Sequence, residues 1–225
     1  MRAPDSASAD RNARTLDAVL GVLDAAGGDH ALFGGLVAAC HGWPRPAADV
    51  DVLISQGIMD AVGRAMATQG WRVRRFQHLI KVHEPAGVAA AADLLAWQTN
   101  RVLAAAFAGR TPAVVLGRPV NVVPSGAFVA LKFEAAATVA RRPSDRVGDV
   151  RDVAGVLARG FSAEEEARAL EIAGGMFPGA ATDLAAFLAD LRARRFPEIA
   201  RRTSRRSRLL IARGLTRRPA RVVGF

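Results

Sequence analysis

The sequence predicts an α/β protein in which a mixed sheet with flanking helices is followed by an all-α C-terminal domain. The chain has 225 residues, a length sufficient for one or two domains with a buried core. Of these residues 51% are apolar and 23% are charged. Up to residue 123, segments with strand-like alternation are interspersed with segments that repeat apolar residues at helical spacing. After Pro124 the apolar repeats have helical spacing. The fold class is therefore expected to change near residue 124.

The first part of the chain is predicted to alternate between strands and helices. Residues 1–14 are polar, small and aperiodic, so we expect a flexible N-terminus. A helix follows over residues 15–26, where Leu16, Val19 and Leu23 share one face. Helices are also predicted at 36–41 and 59–69, while 101–107 fits either a helix or an irregular connection. Strands are predicted from β-branched or alternating residues at 30–33, 50–54, 71–76, 79–83, 89–96, 113–116 and 120–123.

The second part of the chain is predicted to be helical. Its apolar repeats indicate helices at 127–140, 145–159, 163–177 and 182–195. Ser125 follows a strand and precedes an apolar helix, as an N-cap residue does. We therefore predict a flexible N-terminus at 1–14, an α/β domain at 15–123 and a helical domain at 124–225, which ends in an arginine-rich segment at 192–225.

Positive charge is concentrated at the C-terminus. The chain has 31 lysines and arginines, and only Lys81 and Lys132 are lysines. Residues 192–225 carry a charge of +11, from 12 arginines and one acid, whereas the other 191 residues hold 19 basic and 20 acidic side chains. Such a segment is suited to binding RNA phosphates; the alternatives are a solvated charged tail or an oligomer contact. The candidate RNA-binding residues are Arg201, Arg202, Arg205 and Arg206.

Composition also excludes several classes of protein. No uncharged apolar run approaches the roughly 18–20 residues that a membrane span needs, so no membrane partner is expected. Met1-Arg2 is followed by polar residues, which predicts no secretory signal peptide. The one cysteine, Cys40, excludes a disulfide framework and a multi-cysteine zinc site. We expect a cytoplasmic protein in a reducing compartment.

Most of the candidate functional residues of the first part of the chain lie in residues 33–54, FGGLVAACHGWPRPAADVDVLI. Asp49 and Asp51 are two positions apart at the start of a predicted strand, so their carboxylates face the same side. Two like charges this close favour a divalent cation, and oxygen ligands suit Mg²⁺ held together with substrate phosphates. Upstream, Gly34-Gly35 lies between a strand and a helix, where backbone N–H groups can approach a phosphate.

This segment resembles the signature of the nucleotidyltransferase superfamily with a DNA-polymerase-β-like fold, in which a Gly-Gly or Gly-Ser pair is followed by DxD or DxE. The segment VVPSGAFVALKFEAAATVARRPSDRVGDVRDVAGVL is similar to the helix with "LK", the arginine-rich turn and the second acid-bearing helix of minimal and abortive-infection-type toxin nucleotidyltransferases. The resemblance spans residues 30–157. Leu36 departs from the Ser or Thr that many members have after the glycine pair.

The resemblance implies a set of site residues. Asp49, Asp51 and a third carboxylate, Asp93, would hold Mg²⁺ or Mn²⁺, and Asp93 would help to activate the acceptor hydroxyl. Lys132 would contact the nucleotide phosphates or the active-site acids. The triphosphate would lie over the backbone of Gly34 and Gly35, with Arg45 within reach of it. The acid that follows the arginine-rich turn is one of Asp145, Asp149 and Asp152, among which the sequence does not choose.

The implied reaction transfers a nucleoside monophosphate from an NTP, such as ATP, to a hydroxyl acceptor and releases pyrophosphate. The first hypothesis for the acceptor is RNA, such as a tRNA end, as in the toxin-like members, for which a cognate antitoxin is a further expected partner. The second is a small hydroxylated molecule such as an antibiotic. The third hypothesis is a non-catalytic nucleic-acid-binding protein on the same fold, which the intact Asp49, Asp51 and Asp93 speak against.

Overall fold

The computed structural model describes residues 6–85, 87, 91–138, 141–195 and 197. In this part of the chain seven strands form one mixed sheet. They are β1 (His30–Phe33), β2 (Val50–Ile54), β3 (Arg72–Arg75), β4 (Leu79–His83), β5 (Ala92–Ala96), β6 (Thr111–Val115) and β7 (Arg118–Val122). Their order across the sheet is β3-β4-β5-β2-β1-β7-β6. The prediction of an α/β fold with a mixed sheet, followed by helices, is confirmed.

The register of the central strands lines up a row of charged side chains. β2 is antiparallel to β1 and parallel to β5, so Asp51 lies opposite Phe33 on one side and Asp93 on the other. β4 is antiparallel to β5 and places Lys81 opposite Asp93. β3 is antiparallel to β4 and places Arg74 opposite Lys81. Residues directly opposite each other share a face of the sheet, so this row crosses four strands on one face.

The helices of the described residues cover the sheet and build the second part of the chain. α1 and α2 contact each other, and both contact strands of the sheet, whereas α4 contacts α3, α5 and α6. A short 3₁₀ helix, Leu36–His41, connects β1 to the loop before β2. The α-helices are α1 (Ser6–Ala25), α2 (Met59–Thr68), α3 (Arg101–Ala108), α4 (Ser125–Ala137), α5 (Pro143–Leu157), α6 (Ala163–Gly174) and α7 (Ala180–Arg192). None of the described helices is long and apolar enough to cross a membrane.

Alternation along the strands separates the core from the charged row. Ile80, Val82 and Leu94 are fully buried, and Gly63 of α2 lies close to the side chain of Ile80. Asp93 precedes Leu94 in β5, and because successive side chains of a strand alternate, it points to the opposite face of the sheet. Asp93 is only partly buried there. The buried apolar side chains form one cluster that runs from α1 to α7. The predicted division of the chain near residue 124 stays a prediction.

The prediction of a flexible segment over residues 1–14 is wrong for residues 6–14, which form the first half of α1. Asn12 is buried and donates through Nδ2 to the Ala47 carbonyl oxygen at 3.0 Å, and Arg11 donates to the Ala48 carbonyl oxygen. These bonds hold a polar segment against the loop before β2. A polar helix held by partners 35 or more positions away gives no periodic apolar signal in the sequence.

The predicted N-cap at Ser125 is also wrong. Pro124 occupies the N-cap position and Ser125 is the first residue of α4. The Ser125 hydroxyl donates to the Glu165 carboxylate on α6 instead of accepting from its own helix. Residues 89 and 90 of the predicted strand 89–96, and the segment 198–225 with its arginines, lie outside the described residues.

Candidate active site

Three carboxylates converge where β2 and β5 begin. Asp49 immediately precedes β2, Asp51 is the second residue of β2, and Asp93 is the second residue of β5. Because the two strands are parallel and paired residue by residue, Asp51 and Asp93 lie side by side. One oxygen from each of the three carboxylates lies within 4.8 Å of the others. The structure thus brings together the three acids that the sequence picked out.

The glycine pair lies directly against this cluster. Gly34 follows β1 with a φ of +69°, a backbone conformation that favours glycine. A Cβ atom at Gly34 would lie 1.9 Å from Oδ2 of Asp51, so no side chain fits there. Gly35 precedes the 3₁₀ helix, and a Cβ atom there would lie 2.7 Å from Nη2 of Arg45. The absence of a side chain therefore makes room for the Asp51 carboxylate at Gly34 and for the Arg45 guanidinium at Gly35.

Burial and mutual repulsion make the acids of β2 difficult to ionise. Desolvation, followed by the charges of Asp49 and Asp93, raises the pKa of Asp51 from its ordinary 3.8 to about 8. Desolvation and the charge of Asp93 also raise the pKa of Asp49. Positive charges on Lys81 and Lys132 oppose the rise at Asp49. Crowded carboxylates of this kind are stabilised by a bound cation.

The donor set fits a small divalent cation. All three groups offer carboxylate oxygens, which are the ligands that Mg²⁺ and Mn²⁺ prefer. Oδ1 of Asp93 is buried and has no hydrogen-bond partner among the described residues. A buried oxygen left unpaired is costly unless a ligand satisfies it. Asp49, Asp51 and Asp93 are therefore the residues that would hold the metal.

Lys81 binds the third carboxylate directly. Its Nζ lies 2.6 Å from Oδ2 of Asp93, across the β4–β5 pair. The Asp93 side chain is 17% exposed and that of Lys81 34% exposed, so the pair is largely shielded from water. One oxygen of Asp93 is thereby occupied and the other remains free.

A second charged cluster joins α4, α5 and the loop before β2. Lys132 is buried, and its Nζ lies 2.9 Å from Oδ1 of Asp149 and 2.8 Å from Oδ2 of Asp152. Arg45 makes a two-pronged contact with Asp152, with 2.6 Å between Nη2 and Oδ2. Nε of Arg141 lies 2.7 Å from Oδ2 of Asp149. We call these five residues the Lys132 cluster; its three cations outnumber its two anions.

Positive charge of the Lys132 cluster influences the carboxylates of the candidate metal site. The charges of Lys132 and Arg141 act on both Asp49 and Asp51, where they oppose the rise in pKa. The excess positive charge of the cluster therefore lies close enough to the acids to matter for an anionic ligand between them. Among the acids that the sequence left open, Asp149 and Asp152 belong to the cluster, whereas Asp145 pairs at the surface with Arg142.

Sequence reasoning missed Lys81. Two signals were present: it is one of only two lysines in the chain, and it lies in the predicted strand 79–83, which immediately precedes the strand of Asp93 along the chain. The register that places Lys81 opposite Asp93 could not be read from the sequence, because a slip of one residue would turn it to the other face. Both lysines of the chain contact aspartates at or beside the candidate site.

Comparisons with known proteins give fold-level likenesses only. No family model and no curated protein matches the chain. Among solved structures, an antigenic nucleotidyltransferase-like protein from Paracoccidioides brasiliensis is 18% identical, with 80% of this chain and 93% of that chain covered and a TM-score of 0.48. ANT(2'')-Ia in complex with adenylyl-2''-tobramycin is 15% identical, with 81% and 97% covered and a TM-score of 0.49. Terminal uridylyl transferase 4 from Trypanosoma brucei is 14% identical, with 78% and 75% covered and a TM-score of 0.34.

Proposed function

We propose that this protein is a nucleotidyltransferase that depends on Mg²⁺ or Mn²⁺ and transfers a nucleoside monophosphate from an NTP to a hydroxyl group of RNA. The observation that carries the proposal is the convergence of Asp49, Asp51 and Asp93 within 4.8 Å, beside Gly34, where an added Cβ would collide with the Asp51 carboxylate. Three carboxylates crowded at the ends of adjacent strands repel one another, which disfavours the fold unless a ligand binds there. A divalent cation that carries a triphosphate would offset the negative charge of the three carboxylates.

The metal, when bound, would neutralise the triphosphate and stabilise the charge that develops on the entering and leaving oxygens. Asp49 and Asp51 would hold the metal and so help to position the nucleotide. The triphosphate lies over the backbone of Gly34 and Gly35, beside the Asp51 carboxylate and the Arg45 guanidinium that occupy the places of the missing side chains. The surplus positive charge of the Lys132 cluster, whose Arg45 lies against Gly35, attracts the triphosphate.

The acceptor hydroxyl approaches from the side of Asp93. Its oxygen attacks the α-phosphorus of the NTP and forms a new phosphorus–oxygen bond. The bond between the α-phosphorus and the oxygen bridging to the β-phosphate breaks, and pyrophosphate leaves with that electron pair. The hydroxyl proton passes to solvent as the new bond forms, and Asp93 helps to activate and orient the hydroxyl.

RNA is the proposed acceptor because of the charge of the chain. Residues 192–225 carry +11, and such a charge contacts phosphates without sequence preference. A tRNA end is the specific acceptor proposed, with a cognate antitoxin as the corresponding partner. The same charge would repel a cationic small molecule such as an amino-sugar antibiotic.

The proposal is tested by supplying each α-labelled NTP in turn with total tRNA and, in parallel, with a set of small hydroxylated molecules. We expect label on RNA with one NTP in Mg²⁺ or Mn²⁺, and none in EDTA. Label on a small molecule would replace RNA as the acceptor and leave the reaction intact. No transfer, together with no shift of the melting temperature by any NTP with metal, would contradict the proposed function.

A further inference from the structure

We propose that Lys81 is a positioning residue that makes Asp93 a ligand through one oxygen only, and that it thereby sets the preference of the site for Mg²⁺ over Ca²⁺. Lys81 can have this role only if the carboxylate cluster binds a divalent cation, so it rests on the proposed function. It assigns a role to a residue that the motif resemblance does not include.

The geometry of the Lys81–Asp93 pair carries the first step. Nζ of Lys81 lies 2.6 Å from Oδ2 of Asp93, while Oδ1 of the same carboxylate is buried without a hydrogen-bond partner among the described residues. An oxygen that accepts from an ammonium group is disfavoured as a metal ligand, because two positive charges would then flank it at close range. Oδ1 is therefore the oxygen that Asp93 offers to a cation.

The sheet holds this arrangement in place. Lys81 and Asp93 are direct partners in the antiparallel β4–β5 pair, so their side chains share a face and a fixed separation. The next residues along β4, Ile80 and Val82, are fully buried and prevent the strand from slipping. The contact is thus set by register rather than by the flexible end of a surface lysine.

The number of oxygens from Asp93 matters for the choice of metal. Mg²⁺ requires near-octahedral geometry with six ligands, whereas Ca²⁺ accepts six to eight oxygens and commonly binds a carboxylate through both. With Oδ2 held by Lys81, the three aspartates cannot provide the two-oxygen contact from Asp93 that would favour Ca²⁺. If Lys81 is replaced by an uncharged residue, Asp93 gains that second ligand oxygen.

Removal of a positive charge also raises the affinity for every divalent cation, and the experiment has to separate this effect from geometry. A charge effect raises the affinities for Mg²⁺ and Ca²⁺ by the same factor, because the two ions have the same charge. A change in the number of ligand oxygens alters their ratio. The ratio of the two affinities is therefore the informative quantity, and it requires no catalysis.

The test measures binding of Mn²⁺ to the full chain by electron paramagnetic resonance, with Mg²⁺ or Ca²⁺ as the competitor. We expect the wild-type protein to prefer Mg²⁺, and Lys81→Met to shift the ratio of affinities about tenfold toward Ca²⁺, the scale on which residues behind metal ligands act. Lys81→Arg keeps the charge and the donor and should retain the wild-type ratio. Lys81→Leu supplies a second neutral variant without a hydrogen-bond donor if Lys81→Met does not fold.

Arg74→Met is the matched control. Arg74 lies opposite Lys81 on β3, one strand farther from Asp93. Its replacement by Met therefore removes a nearby positive charge and leaves the contact between Lys81 and Asp93 in place. It should leave the ratio unchanged. Equal gains for Mg²⁺ and Ca²⁺ in Lys81→Met, or an unchanged ratio, would overturn the role of Lys81 and leave the proposed function standing. Absence of Mn²⁺ binding to the wild-type protein would overturn both.

Discussion

At the scale of the residue, Asp51 is the most constrained group of the site. It lies between Phe33 and Asp93 in the sheet, and its carboxylate fills the space in front of Gly34. Desolvation and two neighbouring carboxylates raise its pKa to about 8. The metal-free protein therefore holds Asp51 in a position that favours its protonated form. A residue kept at such a cost to the metal-free protein is expected to bind something.

The raised pKa of Asp51 predicts how stability depends on pH without metal. Because the pKa is higher in the folded protein than its ordinary 3.8, the contribution of Asp51 to the free energy of unfolding is fully present below about pH 4 and is lost as the pH rises toward 8. Asp51→Asn cannot ionise. Urea unfolding in EDTA should show the variant to be more stable than the wild type at pH 8, with a smaller difference at pH 5. A difference that does not change with pH would contradict this account of Asp51.

Gly34→Ala should weaken nucleotide binding as well as stability. The added methyl group needs a left-handed backbone, which costs about 1–2 kcal/mol, and it also collides with the Asp51 carboxylate. Gly27→Ala is the control, since Gly27 also has a positive φ but nothing within 4 Å of an added Cβ. Thermal melts with and without Mg²⁺ and NTP should show that only Gly34→Ala loses the nucleotide-dependent rise. Equal behaviour of the two variants would rule out a special role for the space at Gly34.

The sequence predicts those parts of the site that depend on residues close together along the chain. The spacing of Asp49 and Asp51 and their common side of a strand follow from alternation alone. Asp93 was identified through resemblance and an acid in an apolar run. The expectation that Arg45 reaches the triphosphate stays a prediction, and its contact with Asp152, which is 107 positions away, could not be foreseen. Partners so distant in sequence leave no local pattern.

At the scale of the element, α4 and α5 are joined by buried charge. Lys132 on α4 is shared between Asp149 and Asp152 on α5, and both aspartates are almost completely buried. The spacing of these two aspartates places them on the same face of α5. Removal of Lys132 would leave these two buried carboxylates with one cation each, Arg141 or Arg45, which is more damaging than loss of a surface ion pair.

Lys132→Met should therefore destabilise the protein by up to about 3–5 kcal/mol, because Asp149 and Asp152 lose the buried cation they share and keep only Arg141 and Arg45 as partners. Arg142→Met is the control: it removes an exposed ion pair with Asp145 and should leave the midpoint of urea unfolding unchanged. If Lys132→Met were as stable as Arg142→Met, the Lys132 cluster would not be what holds α4 against α5.

Strands were predicted more closely than helix ends. The predicted strands 30–33, 50–54 and 79–83 coincide with β1, β2 and β4. Buried β-branched residues mark β2 and β4, whereas the end of β1 is marked by the glycine pair that follows it. Helices α1 and α4 begin elsewhere than predicted, since their first turns are held by distant groups such as the Ala47 carbonyl and Glu165. The order of the strands across the sheet required the structure.

At the scale of the whole molecule, charge is divided between a nearly neutral body and a basic C-terminal segment. Replacement of Arg201, Arg202, Arg205 and Arg206 by Gln should weaken RNA binding and reduce its dependence on salt, because fewer counterions are released. The measurement is RNA affinity between about 50 and 200 mM salt. An unchanged affinity and slope would remove the segment from RNA binding and favour a small-molecule acceptor.

The central claim is that Asp49, Asp51 and Asp93 form one metal-dependent site for nucleotidyl transfer. Its most direct test is the transfer of label from an α-labelled NTP, measured together with pyrophosphate release, for wild type, Asp49→Ala, Asp51→Ala and Asp145→Ala. We predict one pyrophosphate for each label transferred by the wild type and by Asp145→Ala, whose carboxylate lies outside the site. Asp49→Ala and Asp51→Ala should remain folded and show only background transfer. Transfer at a near-wild-type rate by either of these two variants would contradict the claim.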